Sequence, residues 1–396
     1  MNGELLKAIT FFTRETRIMD ALAVCCGKGK ETARAWDGRD AGENTLFDLA
    51  SATKIFTGLC LMRLWETGEL DPFRPVRRYC PEFENLGDIT VEQLMAFQVQ
   101  LRTPERIDRQ TDREAALRCL RQVGLAEKRG PRDYSDIPAM VLKYVIEQVG
   151  GMPMYACVRQ LVLEPAGMDS TFAKVPAERV GDCLLYGPEY RIQGTEWICR
   201  TDPRRGVPHD PKAAILQGDT ADLCGHAGLF STLGDMEKLA RALLAGKIIS
   251  PESMARMAEN RTGHPLPGGG YTQYLGYCCY RKHPDQYFSE IPAAMSQQAF
   301  GMGGFTGNHF SVDPGTGSWN VFLGNRVRER LTVLIPEEGK TRTDYGLHAD
   351  GTGTLRWRDG TVLPSSVDYV HQKDEHLHAV IAGLWAERRG GGGNPD

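Results

Sequence analysis

From Ile55 to Trp65 the chain is apolar apart from Thr57, Gly58 and Arg63, and this run follows directly on the tetrapeptide Ser51-Ala52-Thr53-Lys54. Apolar residues on every side, instead of along one stripe, predict a helix buried all round, against which the remaining segments must pack. Ser51 and Thr53 offer hydroxyls to the free backbone donors at its start, and Gly68 marks its end. One turn separates Ser51 from Lys54, so a hydroxyl and an amine share a face. A serine is a weak nucleophile until its proton is removed, and a lysine in apolar surroundings loses part of its preference for the charged form. Such a lysine can act as the base. The tetrapeptide alone fits a capped core helix just as readily, so its company along the chain decides.

With 396 residues the chain can bury a large core and build more than one lobe. A hydrophobic content of 41% and a charged content of 25% are those of a globular protein. The formal net charge of -4 excludes a nucleic-acid footprint and a basic membrane patch, which leaves small molecules as the expected partners. Leu5, Leu6, Ile9, Phe11 and Phe12 alternate with Glu4, Lys7, Arg14 and Glu15, so residues 1–16 read as an amphipathic helix and not as an export signal. No apolar run approaches the length that crosses a bilayer. The 11 cysteines include the adjacent pairs Cys25-Cys26 and Cys278-Cys279 but no CxxC, which predicts free thiols in a reducing cytoplasm.

Further along, residues 20–26 and 31–36 read as a hairpin around Gly27-Lys28-Gly29. Arg132-Asp133-Tyr134-Ser135-Asp136 precedes an apolar helix at 137–149 closed by Gly150-Gly151. A phenol beside a lysine can serve as base or relay, and Asp136 is placed to cap the helix. Residues 172–219 read as loop-rich; within them His209 and Asp210 are neighbours in extended chain, point to opposite faces and cannot form a dyad. In the segment Gly225-His226-Ala227-Gly228-Leu229-Phe230-Ser231-Thr232 the glycines permit close backbone approach, and His226 reads as an orienting or pocket-lining group. Residues 235–245 form an amphipathic helix, residues 271–280 an aromatic strand, and Phe300-Gly301-Met302-Gly303-Gly304-Phe305-Thr306-Gly307 a glycine-rich strand and turn. His371, His376 and His378 match no zinc spacing and read as an exposed helix start; residues 390–396 are a flexible tail.

Taken in order, Ser51/Lys54, Tyr134-Ser135-Asp136, Gly225 to Thr232 and Met302-Gly303-Gly304 resemble the signatures of serine hydrolases related to class C β-lactamases and penicillin-binding proteins, in their esterase-like branch. The resemblance covers about residues 21–327. It implies an α/β (α+β) β-lactamase/transpeptidase-like fold, an antiparallel sheet flanked by helices (residues 1–70 and 220–396) with an inserted, mainly helical lobe (71–219). It further implies Ser51 as nucleophile, Lys54 and Tyr134 as the groups that move its proton, and the amides of Ser51 and Phe305 as oxyanion donors. Asp136, His226, Met302, Gly303 and Gly304 would bind substrate. Two departures stand out. Residues 94–101 lack the His-Thr-Ser-Gly-Leu-like turn of many relatives, and Met302 stands where β-lactamases carry the lysine of KTG, which favours substrates without a carboxylate. The expected activity is cleavage or transfer of an acyl group from a small ester or amide, with no metal or organic cofactor. A peptidase for D-amino-acid or modified peptides, a β-lactamase and an inactive ligand-binding homologue are the alternatives.

Overall fold

The computed structural model describes residues 1–127, 132–200, 203–286 and 289–386. The expected tail at 390–396 lies outside them. Six antiparallel strands form the main sheet, in the order Glu31–Gly38, Ala21–Lys28, Ser318–Asn325, Asn308–Asp313, Phe300–Gly304 and Tyr280–Arg281. Residues from both ends of the chain thus pair at the middle of one sheet, Ala21 with Asn325 and Lys28 with Ser318.

Side chains alternate along a strand, and Ala21–Lys28 exploits both faces. Ala21, Ala23 and Cys25 face the main core, whereas Leu22, Val24 and Cys26 meet Leu5, Ile9 and Phe12 of the first helix and Leu377, Ile381 and Leu384 of the last. This double burial makes the strand apolar throughout. The helix Thr53–Glu66 is buried at every position from Thr53 to Met62, as its all-round apolar character predicts. Each large apolar side chain fully buried there contributes about 1.5–3 kcal/mol. Gly58 is required for close packing, because a methyl on it would lie 2.9 Å from the end of Met257 and 3.2 Å from the Tyr277 carbonyl.

The inserted lobe is helical as far as Ala166, with Val91–Met95, Arg113–Arg121 and Ile137–Gly150 as its main helices. Beyond that point helical elements, the 3₁₀ turn Ala177–Asp182 and the helix Pro211–Gln217, alternate with strands. Glu189–Gln193 and Glu196–Arg200 form a hairpin whose first strand runs parallel to Arg330–Ile335 in a second sheet. The expected aromatic strand at 271–280 is confined to Tyr280–Arg281. The turn at 94–101 places Phe97 at φ 56 and lays its ring on Tyr134. The expected caps are also different. Neither Ser51 nor Thr53 caps the buried helix, which is instead preceded by the 3₁₀ turn Ala50–Ala52, and Asp136 makes no capping bond because its carboxylate is engaged elsewhere. His378 is buried against His309 instead of starting an exposed helix. Every cysteine is a free thiol. Among the described residues no helix is long and apolar enough to cross a membrane.

Candidate active site

Ser51, Tyr134, Asp136, Gly303, Gly304 and Phe305 line one cleft of about 610 Å³ between the main sheet and the helical lobe. Lys54 lies just beneath, fully buried, its Nζ 3.0 Å from Ser51 Oγ, 2.8 Å from Asp136 Oδ1 and 3.1 Å from the His226 carbonyl. The sequence spacing alone fixes the first contact. The other two come from residues 82 and 172 positions away, so only packing supplies them.

Ser51 follows a strained turn. Ala50 has φ 47, a left-handed value that a residue with a side chain adopts at a cost of about 1–3 kcal/mol. Asp48 holds that turn: its buried carboxylate accepts from Ala50 N at 2.9 Å and from His209 N at 2.7 Å, while its carbonyl accepts from Thr306 Oγ1 at 2.9 Å and Asn308 Nδ2 at 2.7 Å. Burial pushes this carboxyl above its ordinary value, against the pull of the two amide donors. Asp48 thereby joins the turn before Ser51, the loop after Gly304 and the His209 segment. Nothing in its sequence neighbourhood distinguishes it from a surface turn residue.

Tyr134 is set by its surroundings more than by its own strand or helix. Its ring lies between Phe97 (centroids 5.5 Å) and Tyr280 (5.4 Å), its amide and that of Asp133 both donate to Gln273 Oε1 at 2.9 Å, and Lys54 Nζ stands 4.8 Å from the ring centre. Its hydroxyl opens on the same cleft as Ser51, which eases ionisation of the phenol. Burial, together with the negative charge of Asp136, pushes the phenol well above its ordinary value. These surroundings disfavour the phenolate form of Tyr134.

Asp136 behaves in the opposite way. Burial would raise its carboxyl, but attraction to Lys54, then to His226 and Lys212, outweighs burial and holds it well below the carboxylate range. Lys212 Nζ meets Asp136 Oδ2 at 3.1 Å and Asp210 Oδ2 at 3.1 Å, and His226 Nε2 meets Asp210 Oδ1 at 3.0 Å. Asp136, Asp210 and His226 bring possible ligand atoms within 4.8 Å of one another. The two ammonium groups already pair with both carboxylates, so the donor set is that of an ion-pair network and a metal would have to displace them.

The structure separates the expected substrate-binding residues. His226 and Met302 are fully buried and outside the cleft wall. His226 works from behind, through its carbonyl to Lys54 and its ring to Asp210. Met302 points into the main core, because alternation along Phe300–Gly304 turns it away from the face that Gly303 presents. The glycines of this strand are needed for contact. A methyl on Gly304 would come within 2.6 Å of the Leu49 carbonyl, two residues before Ser51, and one on Gly303 would lie 3.2 Å from Glu290 Oε2.

A cation nonetheless reaches this end of the cleft. Lys373, from the C-terminal helical segment, pairs with Glu290 at 3.0 Å. Beside it Arg326, 8% exposed, donates to the Phe305 carbonyl at 2.7 Å and to the Ser366 carbonyl at 2.8 Å, with its guanidinium 4.6 Å from the Phe305 ring centre. His209 also stacks with Phe305 (centroids 6.2 Å, 7°) and bonds Glu189 Oε2 at 2.7 Å. His209 and Asp210 do point apart, as extended chain requires, and each serves a different part of the site. The sequence carried no signal for these partners.

The family model described as Beta-lactamase matches residues 9–336. Among curated proteins, one of Salmonella enteritidis PT4 named for a D-alanyl-D-alanine carboxypeptidase is 25% identical over 72% of this chain and 70% of its own length. PbpX of Bacillus subtilis (strain 168), named for penicillin-binding proteins, is 25% identical over 59% of this chain, and the match spans about half (53%) of that relative. Similar solved structures include EstCE1, titled a hydrolase with promiscuous acyltransferase activity (TM-score 0.62, 19% identity, 82% of this chain and 93% of that one). Simvastatin synthase of Aspergillus terreus aligns over 97% of both chains with a TM-score of 0.65 at 14% identity. These structural likenesses establish the β-lactamase/transpeptidase-like fold.

Proposed function

The chain belongs to the β-lactamase family, and from that premise we propose that it is a serine hydrolase that cleaves or transfers an acyl group through a Ser51 ester intermediate. Ser51 Oγ attacks the acyl carbon, its proton passes to an unprotonated Lys54 Nζ, and the Tyr134 hydroxyl relays that proton to the departing alkoxide or amine. Water, or an acceptor alcohol, then attacks the acyl-enzyme and restores the serine. The amides of Ser51 and Phe305 receive the developing oxyanion. The observation that carries this reading is Lys54 Nζ standing 3.0 Å from Ser51 Oγ at the base of a cleft that Ser51, Tyr134 and Phe305 line together.

A small ester or amide fits the cleft volume and the absence of a motif lysine at Met302. A second reading, a peptidase acting on D-amino-acid or modified peptides, is favoured by Arg326, which lines the cleft with no carboxylate in ion-pair range among the described residues, and by Lys373 beside it. Turnover of p-nitrophenyl acetate and butyrate, compared with a panel of D-amino-acid peptides, separates the two. A fluorophosphonate probe should label the parent protein and leave Ser51→Ala unlabelled. Equal labelling of both would sink the acyl-enzyme, and ligand-induced thermal stabilisation without any turnover would point to a binding protein.

A further inference from the structure

Asp136 is shared by two ammonium groups. Lys54 Nζ stands 2.8 Å from Oδ1 and Lys212 Nζ 3.1 Å from Oδ2. Lys212 in turn pairs with Asp210 at 3.1 Å, and Asp210 with His226 at 3.0 Å. Positive and negative groups alternate from Lys54 to Asp210, and the His226 ring hydrogen-bonds the last of them. Among the other groups facing it are Ser51 Oγ, 3.0 Å from Lys54 Nζ, the Tyr134 ring, 4.8 Å from the same atom, and Arg132, 5.7 Å from that ring; Cys278 feels the charge of Lys54 and Asp108 that of Lys212.

An ammonium has no lone pair, so Lys54 must shed its proton before it can take one from Ser51. A carboxylate held against it by itself opposes that step, because an adjacent negative charge favours the protonated amine. A second cation on the other oxygen of the same carboxylate acts in the reverse direction, since like charges disfavour one another's protonated form. Position supports the assignment. Lys212 follows Pro211 in the first turn of Pro211–Gln217, the helix that Asp210 caps through the Lys212 and Ala213 amides, and Asp210 is anchored from behind by the fully buried His226. The ammonium is thus fixed at both ends. We propose that Lys212 is a positioning residue for acyl transfer: by sharing Asp136 it offsets the carboxylate that faces Lys54, and Asp210 with His226 holds it there.

The proposal rests on Lys54 as the base, and a double-mutant cycle tests it separately from that reading. Steady-state kcat and KM for p-nitrophenyl butyrate would be measured from pH 5 to 10 for the parent, Lys212→Met, Asp136→Asn and Asp136→Asn/Lys212→Met, with thermal unfolding of each. Lys212→Met is expected to lower kcat about tenfold and move the acidic limb of the kcat profile up by about one pH unit, with KM within about twofold. Removing both charges should return kcat to within about threefold of the parent and restore the limb. If the loss caused by Lys212→Met persists in the double variant, or Lys212→Met leaves the limb at its parent position, Lys212 has no such role. Should Lys212→Met fail to fold, Lys212→Arg against Lys212→Gln reads the same quantity: the proposal requires arginine to keep the parent profile and glutamine to shift it. Turnover that survives in Ser51→Ala would instead overturn the catalytic reading itself.

Discussion

On one side of Ser51 the site is held by charge: Lys54, Asp136, Lys212 and Asp210 form a continuous set of ion pairs, closed by a hydrogen bond between Asp210 and the His226 ring. On the other side it is held by backbone bonds and stacked rings, with Asp48 tying the turn before Ser51 to the loop after Gly304 and Phe305 lying against His209 and Arg326. The difference teaches where each kind of substitution should act. Changes on the charged side should alter proton movement with little effect on shape, and changes on the stacked side should alter geometry first and rate through it.

The largest effect that would break this contrast is on the charged side. Lys54→Met should lower kcat for p-nitrophenyl butyrate by about 10³-fold while circular dichroism stays that of the parent. A misfolded variant would show that the buried lysine holds the fold as well as the reaction. Next, on the stacked side, Gly304→Ala forces a methyl to 2.6 Å from the Leu49 carbonyl, and the strand must move off the nucleophile turn. A loss of about 10²-fold in kcat and a destabilisation of about 1–3 kcal/mol are expected, read by kinetics and by urea unfolding. Retained activity would mean that the strand end does not place the Phe305 amide.

Asp48→Asn tests the same side more gently. One acceptor oxygen becomes a donor facing the Ala50 or His209 amide, so about 1–3 kcal/mol of stability should be lost, with a lowered unfolding midpoint. The smallest effect concerns acid. Glu189, behind His209, is held below its ordinary value: burial would raise it, but hydrogen bonds from His209 and Arg191 outweigh burial, as the lysines do at Asp136. Both carboxylates are depressed in the folded state, so the unfolded chain takes up protons first as the pH falls. Their stabilising contribution is complete above the ordinary values of 4.5 and 3.8 and is lost below them. Glu189→Gln should flatten the decline of the urea midpoint between about pH 5 and 3, and Asp136→Asn should flatten it further towards acid. Equal slopes in parent and variants would remove these pairs from the acid response.

The charged side was half legible in the sequence. Ser51 and Lys54 are one turn apart, and helical geometry brings them together whatever the rest of the chain does. Tyr134, Asp136 and the glycines around His226 could be named from motif order. Lys212 could not, because it lies in a segment with no periodicity and acts through a carboxylate 76 positions earlier, the distance from 136 to 212. The stacked side was less legible still. Phe305 needs only its amide, so its side chain carries no signal, and Lys373 stands in a helical segment that follows the recognisable strands.

What the sequence determined by itself was local or periodic: an all-round apolar helix, a hydroxyl and an amine on its first turn, paired strands near both ends, and thiols without partners. Tertiary structure alone decided that Asp136 forgoes the helix cap to join two lysines, that Met302 turns into the core, and that the cleft regains a cation from Lys373. The physical reason is that spacing fixes which atoms share a turn or a strand face. The balance of burial against charge depends on atoms brought together from distant segments, and only the packed chain brings them there.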